Sequence, residues 1–340
     1  MSASAETSSS ANVLVEIRDL VIGIQRTRSD RLIIVDSANF DIKRAEILGL
    51  VGESGSGKTM VCRSLIGTLK RRSASIFGGS IVFDGMDLAT IDERKWRTVR
   101  GNRIGYVPQS ALTGPNPVMT VGKQIAEAVR RNRRRSDKNV RGRVMELLDL
   151  VHIRRPEIVY DQYPFQLSGG MRQRVMIAAA IAQDPDIVVA DEPTTGLDVT
   201  VQAEIMKLLR EIRSEFNMSV VLVSHDLALI DEVCDRLVVM HAGTCVEVGS
   251  VSDVAREPLH PYTIALNRSR IDIATPGAPL VTIKGNPPAV GEWPAGCRFA
   301  ERCDFVQQDC TVGPNPPLLE VRKSHWSACL HADALGGSGE

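Results

Sequence analysis

The stretch Gly52-Glu53-Ser54-Gly55-Ser56-Gly57-Lys58-Thr59 decides the fold, because it fits the phosphate-binding pattern G-x-x-x-x-G-K-[ST]. Glycines allow the tight turn that points successive backbone N–H groups at phosphate oxygens. Lys58 is placed to reach the β- and γ-phosphates of a nucleotide, and Thr59 to ligate Mg²⁺. The apolar run at 47–51 precedes this loop, and a helix is expected to follow Lys58 and to offer its positive end to the anion.

Short apolar runs recur on both sides of this loop, and helical patterns lie between them, as at 120–150 and 201–213. Runs of this kind are typical of strands buried on both faces of a sheet. The sequence therefore predicts an α/β domain with a largely parallel central sheet. The predicted strands are 13–17, 32–35, 47–51, 80–84, 104–107, 187–190, 220–223 and 237–240.

A second phosphate-chemistry motif is the run Ile187-Val188-Val189-Ala190-Asp191-Glu192. A carboxylate at the end of a buried strand can hold Mg²⁺, commonly through water, and Asp191 suits that role. Glu192 is placed to orient the attacking water or to accept its proton. The acidic pair alone is a moderate indication of nucleotide chemistry, and its occurrence downstream of a phosphate-binding loop makes that indication stronger.

The run Leu167-Ser168-Gly169-Gly170-Met171-Arg172-Gln173-Arg174 resembles the signature of ABC-type ATPases, which other phosphate-loop proteins lack. Three further segments agree with that family in order. They are Tyr106-Val107-Pro108-Gln109 (Q-loop), Gly196-Leu197-Asp198 (D-loop) and Val223-Ser224-His225-Asp226 (switch histidine).

The resemblance implies an ABC nucleotide-binding domain at 13–255, with a helical signature subdomain at about 112–180, in which two cassettes meet head to tail and bury two ATP molecules. Lys58 and Thr59 are then expected to hold phosphate and Mg²⁺, and Asp191 to hold Mg²⁺. Glu192 is expected to act as general base and His225 to contact the γ-phosphate. This division suits phosphoryl transfer, which depends on positioning and charge neutralisation.

Other residues receive roles through the same resemblance. Gln109 is expected to sense Mg²⁺ or water and to couple hydrolysis to a membrane partner. The phosphate contacts are assigned to Gly52, Ser54, Gly55, Ser56 and Gly57. The residues expected to serve the ATP held mainly by the opposite subunit are Ser168, Gly169, Gly170 and Asp198.

The sequence departs from the family pattern at three places. Ile24 stands where an aromatic residue usually stacks on adenine, so the base is expected to rest on an aliphatic surface. The segment at 110–115 after the Q-loop, which faces the membrane partner in relatives, differs from the usual pattern. Phe165 stands where histidine is common. None of these changes removes a catalytic group.

Composition limits the function. The 340 residues contain 41 Lys and Arg against 41 Asp and Glu, which disfavours nucleic-acid binding; the arginine-rich run at 130–135 is interpreted as a solvated face. No apolar run approaches the roughly 18 residues of a membrane span, and residues 1–12 are interpreted as a disordered leader. A cytosolic chain is therefore expected, and any membrane contact would come from a partner.

Seven cysteines fall into two groups. Cys62, Cys234 and Cys245 lie in apolar surroundings and are expected to be buried, unreactive thiols. The other four follow a proline-rich boundary near residue 256 with the spacing C-x5-C-x6-C-x18-C, and are Cys297, Cys303, Cys310 and Cys329. Such thiols can bind Zn²⁺ or an iron–sulfur cluster, or remain free and structural; zinc usually favours C-x2-C pairs, which are missing here.

The tail resembles the C-terminal domain of oligopeptide and dipeptide importer ATPases in its cysteine set and in His260-Pro261-Tyr262-Thr263. The resemblance places that domain at 256–335 and implies a [4Fe-4S] cluster on the four cysteines, with zinc as the lesser alternative. The cluster is expected to staple a domain poor in apolar residues. His325 and His331 are spare candidate ligands that are otherwise expected to be surface residues.

The family resemblance implies an ATPase subunit of a peptide importer at the cytoplasmic face of the inner membrane. Its implied partners are a second, different ABC ATPase, two transmembrane permease subunits and an extracytoplasmic solute-binding protein. Two alternatives remain open at this point: a soluble ABC-type ATPase acting on DNA or ribosomes, and a regulatory protein that uses the cassette only as a nucleotide switch. The absence of a coiled-coil or zinc-hook insertion disfavours the first, and the complete set of hydrolysis residues disfavours the second.

Overall fold

The computed structural model describes residues 12–27, 30–69, 74–110, 114–132, 139–270 and 282–335. Most of the expected leader, residues 111–113 of the altered segment after the Q-loop, and the arginines at 133–135 lie outside the described residues. Within the described ranges, the chain forms two β-sheets and a set of helices around two hydrophobic clusters.

The elements are as follows. The strands are β1 Val13–Gln25, β2 Arg31–Lys43, β3 Ile47–Val51, β4 Ala74–Phe83, β5 Met86–Asp87, β6 Ile104–Val107, β7 Ile187–Asp191, β8 Ser219–Ser224, β9 Arg236–His241, β10 Thr244–Ser250, β11 Leu319–Arg322 and β12 His325–Ser327. The helices are α1 Lys58–Leu65, α2 Glu93–Val99, α3 Val121–Arg131, α4 Val140–Leu150, α5 Pro156–Val159, α6 Gly169–Ile181, α7 Val199–Phe216, α8 Leu227–Val233, α9 Val251–Arg256, α10 Pro261–Arg268 and α11 Ala332–Leu335.

The larger sheet has the strand order β11-β12-β10-β9-β3-β8-β7-β6. Its five strands from β9 to β6 run parallel to one another, whereas β10, β12 and β11 pair antiparallel at the other edge. Strands β3, β7, β8 and β9 are buried along their whole length, which explains why they appear in the sequence as unbroken apolar runs. The predicted α/β architecture with a parallel sheet is confirmed.

The larger sheet forms the middle layer of the protein. Helices α3, α4, α6 and α7 pack on one of its faces. On the other face lie α1, α2 and the smaller antiparallel sheet, of order β2-β1-β4-β5. Neighbouring residues of one strand serve opposite clusters, as Val188 and Val189 do in β7. No described helix is both long and apolar enough to cross a bilayer.

Several elements differ from their predicted bounds; β2 continues to Lys43, beyond the predicted 32–35, and β4 begins at Ala74, before the predicted 80–84. Strand β1 continues well beyond residue 17. The polar residues that end the apolar run form a local irregularity in the pairing, with Asp19 at φ 47°, and the strand resumes after it. The helical stretch predicted at 120–150 is two helices. Helix α3 is followed by Asn132, and α4 is preceded by Asn139, whose side chain accepts a hydrogen bond from the N–H of Gly142.

The chain after residue 256 packs on the same core as the cassette. Its strand β12 pairs with β10 and so widens the larger sheet, and Tyr262 and Phe299 enter the helical hydrophobic cluster. The fully buried carboxylate of Glu247 accepts backbone N–H groups from Leu259 and His260 and pairs with Nε2 of His325 at 2.8 Å. The described tail residues therefore take much of their apolar contact from the cassette. A domain boundary near 256 stays a prediction.

Candidate functional site

The phosphate-binding loop connects β3 to α1 under tight steric limits. A side chain at Gly52 would place its Cβ 2.1 Å from the carbonyl oxygen of Met240, so no larger residue fits there. Gly57 precedes α1 with φ at 105°, a conformation that favours glycine. Ser54 and Gly55 are exposed at the tip of the turn, whereas Ser56 is buried. The tip of the loop is therefore open to solvent.

Lys58 holds a buried cationic group inside this loop. Its Nζ donates hydrogen bonds to the carbonyl oxygens of Gly52 at 2.7 Å and Glu53 at 2.9 Å, and to Oγ of Ser56 at 3.3 Å. Burial lowers the pKa of Lys58, while the carboxylates of Glu192 and Asp191 act to raise it. The three oxygens satisfy the ammonium group in the absence of an anion, and phosphate oxygens offer the same kind of partner with full charge.

Asp191 ends β7 as a buried carboxylate that the protein only partly satisfies. Burial, with the neighbouring charge of Glu192, raises its pKa, whereas Arg63, Lys58 and a hydrogen bond from Thr59 act to lower it. Its Oδ1 atom is buried and has no hydrogen-bond partner among the described residues. Because Mg²⁺ prefers carboxylate and hydroxyl oxygens, a hard cation fits between Asp191 and Thr59.

Glu192 is the point on which three loops converge. Its Oε2 accepts hydrogen bonds from Nε2 of Gln109 at 2.9 Å and from Oγ1 of Thr195 at 3.0 Å, and its Oε1 lies 3.6 Å from Nδ1 of His225. Glu192 also has φ at 48°, a left-handed conformation that costs a non-glycine residue about 1 kcal/mol or more. Sequence reasoning did not single out Thr195, although its place three residues after Glu192 gives a local signal.

Ser168 and Asp198 begin two helices on exposed surface. Oγ of Ser168 accepts the N–H of Met171 at 3.3 Å and caps α6, with Gly169 and Gly170 in the first turn. Asp198 caps α7 through the N–H of Val201 at 3.0 Å. Among the described residues, no hydrogen bond or ion pair joins either residue to Lys58, Asp191 or Glu192. The structure thus brings Lys58, Gln109, Asp191, Glu192 and His225 together, whereas Ser168 and Asp198 lie apart from them on exposed surface.

Two of the sequence departures can be located. Ile24 is half-buried on β1, where it pairs with Leu32 and Ala74. Phe165 is 68% exposed and stacks on Tyr163 with ring centroids 5.6 Å apart. Contact of Ile24 with adenine stays a prediction.

The four clustered cysteines line one pocket, together with His260, Phe299 and His331 among others. Sγ of Cys303 accepts the N–H of Phe305 at 3.3 Å, and Sγ of Cys329 accepts the N–H of His331 at 3.4 Å. Burial raises the pKa of the Cys297 and Cys303 thiols, and that of Cys329 to about 11. Peptide N–H groups aimed at sulfur are the contacts that tune and support bound thiolates.

The spacing of these thiols is wider than that of a preformed zinc site. Within the described residues, three or more metal-type ligand atoms lie within 4.8 Å of one another only at Asp309, Cys310 and His331. Four thiolates on one Zn²⁺, each at 2.3 Å, stand about 3.8 Å apart.

The expectation that His325 is a surface residue is wrong, because it is 2% exposed and bonded to Glu247.

The remaining three cysteines are buried free thiols, as expected. Burial raises the pKa of Cys62 and Cys234, and that of Cys245 to about 12. A thiol with so high a pKa stays protonated and unreactive at neutral pH.

Comparison with protein families and known structures supplies the context. Residues 35–195 match the family described as ABC transporter, and residues 246–310 match the oligopeptide/dipeptide transporter C-terminal region. A peptide import ATP-binding protein of Brucella abortus (strain 2308) is 46% identical over 316 residues, which cover 93% of this chain and 94% of that protein. A peptide ABC transporter ATP-binding protein of Sinorhizobium fredii is 41% identical over 96% of this chain and 97% of the relative.

Two solved structures are similar in fold. A dimeric ATP-binding cassette in a post-hydrolysis state, bound to ADP and Pi, aligns with a TM-score of 0.61 and 26% identity over 70% of this chain and 98% of its own. A cassette from Clostridium perfringens that is part of an ABC transporter complex aligns with a TM-score of 0.61 and 27% identity, over 72% of this chain and 90% of its own.

Because the carboxylate of Asp191 is only partly satisfied, we expect its replacement to stabilise the protein. The folded state raises its pKa, so its ionised form weakens the fold at neutral pH; the penalty shrinks as the pH falls through that raised pKa and is gone only below the ordinary pKa of an aspartate. Asp191→Asn should therefore raise the free energy of unfolding by about 1 kcal/mol at neutral pH, measured by denaturant titration with EDTA present.

A matched control is Asp226, whose side chain caps α8 by accepting the N–H groups of Ala228 and Leu229. Asp226→Ala should instead lower stability by about 1 kcal/mol. A loss of stability in Asp191→Asn comparable to that of the control would show that Asp191 is well satisfied without a cation.

Proposed function

The chain belongs to the ABC transporter family, and on that premise we propose that it binds and hydrolyses ATP to power a peptide importer. The observation that carries the proposal is Glu192, which follows β7 next to Asp191 in a left-handed conformation and whose carboxylate is held by Gln109 and Thr195. A carboxylate fixed in this way beside a phosphate-binding loop is arranged to act on a water molecule in line with a γ-phosphate.

The residues divide the work of phosphoryl transfer. Lys58 and the loop N–H groups bind the β- and γ-phosphates, while Thr59 and Asp191 are the residues that would hold Mg²⁺. The cation supplies neutralisation of the triphosphate charge. Glu192 orients the attacking water and takes its proton as the water oxygen bonds to the γ-phosphorus and the bond to ADP breaks. His225, near Glu192, contacts the γ-phosphate, and Gln109 orients the water or the cation.

The signature residues act on a second nucleotide. Ser168, Gly169 and Gly170 lie at the start of the 13-residue helix α6, whose first turn holds no acidic side chain, so its N–H groups can bind a phosphate on a partner. Asp198 adds a contact from the start of α7. This division supports a composite site in which each cassette contributes half, and we expect the isolated chain to hydrolyse ATP slowly.

Membership of a peptide importer implies membrane permease partners. We propose two permease subunits, a solute-binding protein and a second, different ATPase, with this chain peripheral at the cytoplasmic face of the inner membrane. The exposed, stacked pair Tyr163 and Phe165 beside the signature is apolar surface that supports contact with a partner.

Glu192→Gln tests the assigned base. The amide keeps the size of the side chain but cannot accept a proton, so turnover should fall at least 100-fold, roughly the share of general-base catalysis, while MgATP binding remains. ATPase activity is to be measured in the complete transporter and binding on the purified chain. Turnover equal to that of the wild type would remove Glu192 from the mechanism.

We also propose that Cys297, Cys303, Cys310 and Cys329 hold a [4Fe-4S] cluster. Their shared pocket and the N–H groups directed at two of the sulfurs support a bound metal group. Their separation favours a cluster of several iron atoms over a single zinc ion, because the larger group holds its thiolates farther apart. The group would fasten the tail residues that have little apolar contact of their own.

The cluster has a direct spectroscopic test. Chain purified without oxygen should be brown, absorb in the blue part of the visible spectrum and contain iron and sulfide in equal amounts. Cys310→Ser should lose most of that absorbance, whereas Cys245→Ser, which alters a buried thiol outside the set, should keep it. A colourless protein with one zinc per chain would refute the cluster.

A further inference from the structure

Glu53, the second residue of the phosphate-binding loop, is held by the C-terminal part of the chain. Both oxygens of its carboxylate are paired with Arg302, Oε2 with Nη1 and Oε1 with Nη2, each at 2.8 Å. Arg302 is 8% exposed, and its Nε donates to the carbonyl oxygen of Lys284 at 2.8 Å. The guanidinium group is therefore fixed on both sides, and two-point pairs of this kind are among the stronger charge-assisted contacts.

A second contact from the same part of the chain reaches the backbone of Glu53. Its N–H donates to the hydroxyl oxygen of Tyr262 at 2.8 Å, and Tyr262 is fully buried. The Tyr262 ring packs against His241 and Phe299, with centroids 4.5 and 5.4 Å away. The aromatic packing fixes the hydroxyl group, so the loop backbone is anchored at a defined point.

The same residue touches the nucleotide machinery from its other side. The carbonyl oxygen of Glu53 is one of the three acceptors of Lys58. Rotation of the Glu53 peptide would move that oxygen and alter the position of the Lys58 ammonium group. Glu53 is thus a link between the tail and the phosphate-binding lysine.

The charges around Glu53 keep it ionised. Burial acts to raise its pKa, but the hydrogen bonds and charge of Arg302, with smaller contributions from His241 and Lys58, lower it overall. Because the carboxylate is partly buried, loss of Arg302 would leave a poorly compensated charge against the loop.

We propose that Arg302 is a positioning residue of the nucleotide site, which sets the affinity for MgATP by fixing Glu53 in the phosphate-binding loop. Arg302 touches neither substrate nor reacting atoms, and it acts through Glu53 and Lys58. The turn that carries it, Ala300–Arg302, lies between Cys297 and Cys303, so the cysteine-lined pocket and the loop share one short structural element. The inference rests on the proposed function, since it needs ATP to bind at Lys58.

The test measures binding of the magnesium complex of AMP-PNP to the full-length chain by calorimetry. Arg302→Met should raise Kd about tenfold, the change expected when a charge-assisted pair is lost from a partly buried group. Arg302→Lys should give a smaller rise, about threefold, because lysine keeps the charge without the two-point geometry. In the complete transporter, Arg302→Met should raise the KM for ATP while kcat changes less than twofold.

Two control variants distinguish a positioning role of Arg302 from a general loss of stability in the C-terminal part of the chain. Arg322→Met removes an arginine that pairs with Glu257 on the surface, and His325→Ala breaks the buried bond to Glu247 without touching the loop. Both should bind AMP-PNP like the wild type, and His325→Ala should do so despite a lower Tm. In a double-mutant cycle, Glu53→Gln should add little to Arg302→Met, because both remove the same contact.

The following results would overturn either the positioning role of Arg302 or the proposed function. Wild-type affinity and KM in a folded Arg302→Met variant would overturn the positioning role, as would an equal loss of affinity in His325→Ala. If Arg302→Met does not fold, Arg302→Lys and Glu53→Gln decide in its place, and wild-type affinity in both would overturn the role. Failure of the wild-type chain to bind AMP-PNP would overturn the proposed function itself, and with it this inference.

Discussion

The parallel pairing of β3 with β8, β8 with β7, and β7 with β6 is the constraint on which the site depends. It sets Val51 opposite Ser224 and Asp191 opposite Val223, so the loops that follow these strands leave the sheet at one edge. Groups far apart in sequence, Lys58, Gln109, Glu192 and His225, therefore share that edge. A slip of one residue in any of the pairings would turn the side chains of that strand to the wrong face.

The same edge gathers charges that the protein does not neutralise well by itself. Lys58 is buried against loop carbonyls, Asp191 keeps one oxygen without a partner among the described residues, and Glu192 sits in a left-handed conformation. Burial disfavours the charged forms of Lys58 and Asp191, and the left-handed backbone of Glu192 costs free energy. A magnesium-bound triphosphate would offer an anion to Lys58 and a cation to Asp191, so the site is more complementary to that ligand than its own groups are to one another.

Sequence alone was enough for the parts of the molecule that local pattern encodes. Strands β3 and β6 match their predicted bounds, since a mostly buried run leaves a clear apolar signal. The continuation of β1 past Asp19 left no such signal, because the bulge places polar residues inside a strand. The pairing of Arg302 with Glu53, 249 residues apart, and the burial of His325 on Glu247 depend on tertiary packing that no local spacing records.

We propose that this chain supplies half of each composite ATP-hydrolysing site, and the hydrolysis rate per chain in different assembly states tests that division. Steady-state ATP hydrolysis is to be measured on the dilute isolated chain and on the transporter assembled with its second cassette and permeases, at saturating MgATP. We expect the isolated chain to bind MgATP but to turn over at least about tenfold more slowly, because transition-state contacts come from the partner's signature. Equal rates per chain in the two states would contradict it.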